Sequence, residues 1–298
     1  MKDLGICIVT RSSKEVIMDC LASVYEQTQG LDLEVVVVDN DSHDGTVDEI
    51  RLKFPNVKLI LNNENLGFSR AVNQGLRILD ARYYVLLNPD AIVLERALPR
   101  LIQFMEENLR AGMCVPKVLN SDGTLQYQCR RGEARPGEVF SYFIGLARMF
   151  PKDTRFTGYL LDHIDNDQVN EVKAVSGSCM MIRRAVIEQI GYFDERYFAY
   201  QEDTDYCFHA RQAGWRVYYV PMARVIHHGG RGGSGINPYF GVYQWHRSYY
   251  LYYRKNLARD YPFWFHPLYY FVMFVKMTLN LTGVFFSRDK VVGTRKPS

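Results

Sequence analysis

The chain reads as an α/β protein, with a mostly parallel sheet flanked by helices and a C-terminal helical extension. Three observations point there. Apolar runs of strand length alternate with helix-length segments through the first third of the chain, as in βαβ units with right-handed crossovers. The run Val35-Val36-Val37-Val38 has no polar alternation, so both of its faces must be covered. A further run, Tyr83-Tyr84-Val85-Leu86-Leu87, stops at Asn88-Pro89, because proline cannot donate to a sheet ladder.

Taken in order, residues 4–10 form the first strand. Ser12-Ser13-Lys14-Glu15 has the spacing of a capping box for a helix to about residue 27. After the valine strand, Asp44 is placed to cap a helix that Pro55 ends. Residues 57–61 are the third strand, 62–67 a polar loop, 68–79 a helix and 83–87 the fourth strand. Ala91-Ile92-Val93 is a short apolar run that anchors the loop after Asp90. A helix over 96–108, a strand over 113–119 and a hairpin turn at Ser121-Asp122-Gly123-Thr124 follow. Residues 130–170 have no clean period and read as a loop region with some helix near 139–149. A strand over 172–182 and a turn at 191–195 come next. A helix over 204–213 is then closed by Gly214. Strands over 217–220 and 224–226 lead into His227-His228-Gly229-Gly230.

The last part differs in composition. Residues 239–261 interleave aromatics with Arg247, Arg254, Lys255 and Arg259, and 262–286 are almost wholly apolar around Lys276. A lysine at the centre of a membrane span costs ~2.5–3.5 kcal/mol. An aromatic–basic helix pair lying on a membrane surface without crossing it is therefore the expectation. The alternative is a helical pair packed on the sheet or on a second copy in a homodimer.

Composition narrows the function. With 47% hydrophobic and 23% charged residues, the chain has ample core, and a net charge of +3 is too small to suggest a nucleic-acid partner. The six cysteines include no C-x-x-C pair, which argues against a zinc site and predicts buried free thiols in a reducing compartment. The short N-terminal apolar run is not a signal peptide, so the expected location is the cytoplasm.

Polar groups collect where a parallel sheet brings strand ends to one edge: Thr10-Arg11, Asp39-Asn40-Asp41, Asn65 with Gly67, and Asn88-Pro89-Asp90. Neither a dinucleotide-binding G-x-G-x-x-G nor a P-loop is present. The edge is rich in carboxylates and amides, which accept from base N–H and ribose hydroxyls. A rigidly held carboxylate such as Asp90 suits a hard divalent cation and the phosphates it brings.

These residues resemble the family-two inverting glycosyltransferases. The resemblance runs through Val37-Val38-Asp39-Asn40-Asp41, Asn65-Leu66-Gly67-Phe68, Asn73-Gln74-Gly75 and Leu87-Asn88-Pro89-Asp90. It continues through Gly191-Tyr192-Phe193-Asp194-Glu195, Gln201-Glu202-Asp203, Ala210-Arg211-Gln212-Ala213-Gly214-Trp215 and His227-His228-Gly229-Gly230. The rhamnosyltransferase-like bacterial subgroup is the most similar. The resemblance implies a GT-A (Rossmann-like) domain over 1–235, with a nucleotide-binding half (1–95) and an acceptor-binding half (96–235), before the extension at 236–298. It implies Asp203 as catalytic base with Glu202 beside it, and a Mg²⁺ or Mn²⁺ held through Asp90 and His227, or His228 in its place. Asn88 stands where the family's first metal-site acid is found. Substrate binding falls to Thr10, Arg11, Asp39, Asn40, Asp41, Asn65, Gly67, Asn73, Asn88, Gly177 and Trp215. The implied donor is a nucleotide-diphosphate sugar, dTDP-L-rhamnose ahead of a UDP-sugar. The implied acceptor is a lipid-linked glycan, at the inner face of the plasma membrane.

Other readings of the same residues stay open. Asp39, Asp41 and Asp90 can be turn residues that cap helices, and Glu202-Asp203 can be first-turn acids favoured by the helix dipole. The histidine pair can be a satisfied loop, and Trp215 core or a pocket wall. A nucleotidyltransferase, or a non-catalytic membrane-associated binding protein of the same fold, are the alternative functions.

Overall fold

The computed structural model describes residues 1–151, 153–230 and 237–286; the expected boundary at 235/236 lies outside them. The first half is β1 (Lys2–Thr10), α1 (Lys14–Gln27), β2 (Leu33–Asn40), α2 (Thr46–Lys53), β3 (Lys58–Asn62), α3 (Phe68–Ile78) and β4 (Ala81–Leu87). Then come β5 (Ala91–Leu94), α4 (Ala97–Glu107), β6 (Ala111–Leu119), β7 (Arg130–Arg131), and the helices α5 (Pro136–Phe143), α6 (Leu146–Met149) and α7 (Thr154–Thr157). The chain continues through β8 (Asn170–Glu171), β9 (Ala174–Val175), β10 (Cys179–Arg183), α8 (Arg184–Ile190), α9 (Glu202–Gln212) and β11 (Arg216–His227). It closes with α10 (Pro238–Tyr252) and α11 (Phe265–Phe286).

The central sheet runs β3-β2-β1-β4-β10-β6-β11-β5, with β8 on β11. Strands β1 to β4 are mutually parallel, and β6 is parallel to β11. Only β10 and the short strands β5 and β8 run against them. The valine strand shows why the sheet is covered twice. Val35 and Val37 pack with Ile17, Leu21, Leu98 and Leu101 from α1 and α4. Val36 and Val38 pack with Ala71, Val72 and Leu76 from α3 on the other face. Successive side chains point to opposite faces, so each valine finds a core.

Four local expectations change. The box at Ser12–Glu15 does not form: the Ser13 hydroxyl donates to Arg11 O (3.2 Å), and the Lys14 amide donates instead to Asp44 Oδ2 (3.1 Å). Asp44 thus serves two helix starts, since Thr46 N also donates to it (3.1 Å). Ala91–Leu94 is not merely an anchor but an edge strand, paired with the end of β11. The single strand expected over 172–182 is broken at Ser176-Gly177-Ser178, and α8 follows it at once. The two strands expected over 217–226 are one, with a register shift between Val220 and Arg224 around Pro221. A bulge is where a sheet tolerates proline.

The C-terminal helices belong to the packed body. Tyr249, Tyr252, Tyr253 and Leu257 form a third buried cluster with Val139, Tyr159, Leu160 and Tyr197. Beneath it, in a π-helical turn at Tyr253–Leu257, Lys255 Nζ reaches Asp205 (2.7 Å) and Asp194 (2.8 Å), and Asn256 Nδ2 donates to Asp205 (2.7 Å). Asp205 is only 3% exposed, so it needs this pairing. Lys255→Met is expected to destabilise the fold by on the order of 3 kcal/mol, because it strands a buried carboxylate. Urea unfolding measures this; a loss below about 1 kcal/mol would mean a solvent-screened pair.

Candidate active site

Because β1 to β4, β6 and β11 point the same way, their C-terminal ends meet at one edge. Thr10 and Asp39 are register neighbours on β1 and β2, exposed by 1% and 3%. Asp39 Oδ2 accepts from Ser42 N (3.0 Å), while Asp39 Oδ1, Thr10 Oγ1 and Arg11 Nε are buried without a partner. A buried acceptor left unsatisfied costs ~1–3 kcal/mol, so this corner calls for an N–H or O–H donor from a ligand. Asp41 sits differently. It is a left-handed turn residue (φ 71°) facing His43 at 3.2 Å.

Asn40, Asn65 and Gly67 form the frame beside that corner. Asn40 Nδ2 donates to Asn65 Oδ1 (3.3 Å) and Gly67 O (3.2 Å), and Gly67 N donates to Asn65 Oδ1 (3.0 Å). Gly67 has φ 82°, and a Cβ there would lie 2.6 Å from Phe198 O, which accepts from Phe68 N. Glycine is required by both backbone and space. Asn73 is 1% exposed and bonds Phe193 N, Phe193 O and Glu195, so its amide is used inside the fold. Trp215 precedes β11, at the opposite end of the sheet, with its indole N–H on Gln189 (2.7 Å). The structure does not bring Asn73 or Trp215 to the edge.

At the end of β4, Asp90 is 1% exposed and its Oδ1 lies 3.2 Å from His227 Nε2. Asn88 Nδ2 lies 3.0 Å from the same nitrogen. The other ring nitrogen, Nδ1, bonds Gln126 Oε1 (2.8 Å), so in the neutral ring Nδ1 donates and Nε2 turns a lone pair toward Asp90. His228 gives its backbone N–H to Asp90 O (3.0 Å) but turns its ring to Ser121 (2.7 Å). One carboxylate and one imidazole converging in this way suit a cation such as Mn²⁺, with other ligands coming from outside the protein. Among the described residues, no group of three or more His, Cys, Asp or Glu side chains converges to hold a metal ion.

The loop Ser176-Gly177-Ser178 joins this corner to a second acidic one. Ser178 O accepts from Asn88 N (3.0 Å), and Gly177 N donates to Asp203 Oδ2 (3.2 Å). Asp203 lies in the first turn of α9, whose amides favour an acid there. Its Oδ2 also accepts from Arg131 Nη2 (2.6 Å), and its Oδ1 accepts from Thr204 N (2.6 Å) and Thr204 Oγ1 (3.2 Å). Arg131, which the sequence reading missed, is buried with it. It comes from the stretch without periodicity, where no local pattern marks it. Glu202 is 9% exposed, and its Oε2 has no partner. Burial pushes its carboxyl up to about 8, and the charge on Asp203 adds to the rise.

The sequence profile "Glycosyl transferase family 2" matches residues 5–191, and "Glycosyl transferase family group 2" matches 148–293. The chain belongs to glycosyl transferase family 2. Among its relatives in this family, it is 30% identical over 260 residues to the N-acetylglucosaminyl-diphospho-decaprenol L-rhamnosyltransferase of Mycobacterium tuberculosis, covering 84% of this chain and 83% of that one. It is 25% identical over 187 residues to the rhamnosyltransferase WbbL of Escherichia coli, covering 62% and 66%. Two solved structures share the fold, each at 18% identity. They are the mannosyltransferase PcManGT from Pyrobaculum calidifontis in complex with GDP-Man and Mn²⁺ (TM-score 0.57; 97% of this chain, 76% of that one) and GalNAc-T7 with UDP, GalNAc and Mn²⁺ (TM-score 0.56; 76% and 43%). The fold is GT-A and the protein is a rhamnosyltransferase-like glycosyltransferase, which sets aside the nucleotidyltransferase alternative.

Glu202 generates a test of its own. Its carboxyl titrates higher in the folded than in the unfolded chain, so the unfolded chain gives up its proton first as pH rises. Stability should therefore fall between roughly pH 4.5 and 8, by at most about 1.4 kcal/mol per pH unit. Glu202→Gln should flatten that slope in urea unfolding. A wild-type slope left intact in the variant would mean that Glu202 is ionised at neutral pH.

Proposed function

We propose that the protein transfers L-rhamnose, with inversion, from dTDP-L-rhamnose to a polyprenyl-diphosphate-linked glycan at the inner face of the plasma membrane. What supports this most is the pairing of two buried acids, Asp90 and Asp203, across the Ser176-Gly177-Ser178 loop, in a chain 30% identical to a decaprenol-linked rhamnosyltransferase. Thr10, Arg11 and Asp39 take the nucleotide base, whose N–H satisfies Asp39 Oδ1. The acceptor hydroxyl attacks the anomeric carbon from the face opposite the diphosphate. As the new C–O bond forms and the sugar–phosphate bond breaks, the hydroxyl proton passes to Asp203. Arg131 holds that carboxylate in place, and the two 3.2 Å contacts to it are the ones an incoming hydroxyl replaces. Asp90 and His227 would hold a Mg²⁺ or Mn²⁺, which when bound supplies positive charge against the leaving diphosphate.

The C-terminal helices supply the membrane contact. Helix α11 is long and apolar enough to cross a bilayer, and only 6% of its most apolar window is buried. One side is nevertheless held by the catalytic body. Tyr269 and Tyr270 pack on Tyr253 and Tyr250, and Lys276, the only charged residue in the helix, lies 3.9 Å from the Trp245 ring centre and 4.2 Å from that of Phe143. The opposite side exposes Phe271, Phe274 and Phe285. Apolar on one side and fixed on the other, the helix suits lying in the interface more than crossing it.

The activity is tested with dTDP-L-rhamnose and a synthetic N-acetylglucosaminyl-diphospho-polyprenol. Wild type should transfer with Mn²⁺ and stop in excess EDTA. Asp203→Asn should still bind donor but transfer ~10²-fold more slowly or worse. Near-normal turnover by that variant would remove Asp203 as the base, and full activity in EDTA would remove the metal.

The membrane reading is tested with vesicles. The full-length protein should sediment with anionic vesicles at low salt, since each basic residue near the surface gains ~1 kcal/mol. A protein that stays in the supernatant and runs as a detergent-insensitive dimer would mean that α11 meets a second copy instead.

A further inference from the structure

Beside Asp203 lie buried polar side chains that the proton transfer does not use. Tyr200 and Gln201 both have left-handed backbones, φ 68° and 62°, immediately before α9. Such conformations cost ~1–3 kcal/mol each for non-glycine residues and persist where surrounding structure imposes them. The Gln201 side chain here is 3% exposed with Oε1 unpartnered. Glu202 follows with its own unpartnered Oε2, close enough for its charge to act on the Tyr200 phenol.

Helix α10 covers this segment. Ser248 Oγ donates to Ala199 O (2.7 Å), and the Phe240 ring meets Phe198 edge-on at 5.1 Å. Gly241 faces Tyr200, whose hydroxyl would lie 4.0 Å from a Cβ placed there. Positions 241, 244 and 248 share one helix face. Gln244, between them on that face, is 7% exposed, with its Oε1 also unpartnered. Three buried oxygens, two at the start of α9 and one on the α10 face that covers it, thus lack partners. A buried polar group is normally satisfied, so their natural complement is a molecule dense in hydroxyls.

We propose that Tyr200, Gln201, Glu202 and the α10 residue Gln244 form the subsite for the acceptor sugar, binding the hydroxyls that flank the one that reacts. This rests on the transferase reading above and makes the C-terminal extension part of the substrate site. Gln244 is a binding residue that selects among acceptors, because a site built to bond a hydroxyl penalises an acceptor lacking it.

The probes are the synthetic N-acetylglucosaminyl-diphospho-polyprenol and analogues with one ring hydroxyl removed at a time. For Gln244→Leu, KM for the acceptor should rise about tenfold or more, with dTDP-L-rhamnose affinity by calorimetry and the melting temperature unchanged. One deoxy analogue should cost wild type about as much as the substitution does, and cost the variant nothing more. Gln244→Asn, which keeps the amide but shortens it, should fall between the two and covers the case in which leucine disturbs packing. An unchanged acceptor KM in both variants, or a deoxy penalty that simply adds to the substitution, overturns the subsite. Failure of wild type to transfer to any of these acceptors, with donor binding intact, instead overturns the transferase assignment on which it rests.

Discussion

A carboxylate at the start of α9 is held in a nearly dry place. Three separate pieces of chain converge on Asp203 to allow it: Arg131 from β7, Gly177 from the break between β9 and β10, and Thr204 from its own helix. Removing water from a carboxylate costs several kcal/mol unless a partner and hydrogen bonds replace it. That requirement accounts for features that are costly elsewhere. The break at Ser176-Gly177-Ser178 gives up sheet pairing to bring an amide to Asp203, and the same loop ties Asn88, and so the Asp90 corner, at a fixed offset. The charge held there also acts on Glu202, which burial has already made reluctant to ionise. Two adjacent acids thereby acquire different chemistry from environment alone.

The C-terminal helices enter the same network from behind. Lys255 and Asn256 hold Asp205, two residues beyond Asp203 on α9, while Ser248 holds the segment that leads into it. Helix α9 is therefore fixed at its start by the sheet edge and along its side by the extension. A chain cut at the end of β11 would lose both the lysine that neutralises Asp205 and the helix that covers Tyr200 and Gln201.

The sheet was legible in the sequence because its signals are local. Consecutive valines, a strand stopped by proline and acids at strand ends each carry their own explanation. Thr10, Asp39, Asp90 and His227 come to one edge because parallel strands must end together. What escaped was set by distant partners. Arg131 sits in two residues of strand inside an aperiodic stretch, and Gln126 matters only because the chain returns past it at His227. Asn73 and Trp215 show the reverse: their side chains are taken up by Phe193, Glu195 and Gln189, which no spacing rule reveals. The β5 edge strand was hidden because four residues are too few to show alternation.

The lysine over Trp245 and Phe143 has a consequence for the proposed seat of α11 on a membrane. It is the only charge on α11, and its place against two rings, with the tyrosine contacts of Tyr269 and Tyr270, fixes which side of that helix faces the body. On a lipid surface the helix cannot roll to present another stripe. With α11 seated as proposed, the sheet edge would stand at a constant height above the headgroups, and the fold would work as a depth gauge. On that reading, acceptors whose diphosphate lies within that span would reach the acids, and those seated deeper or farther out would not.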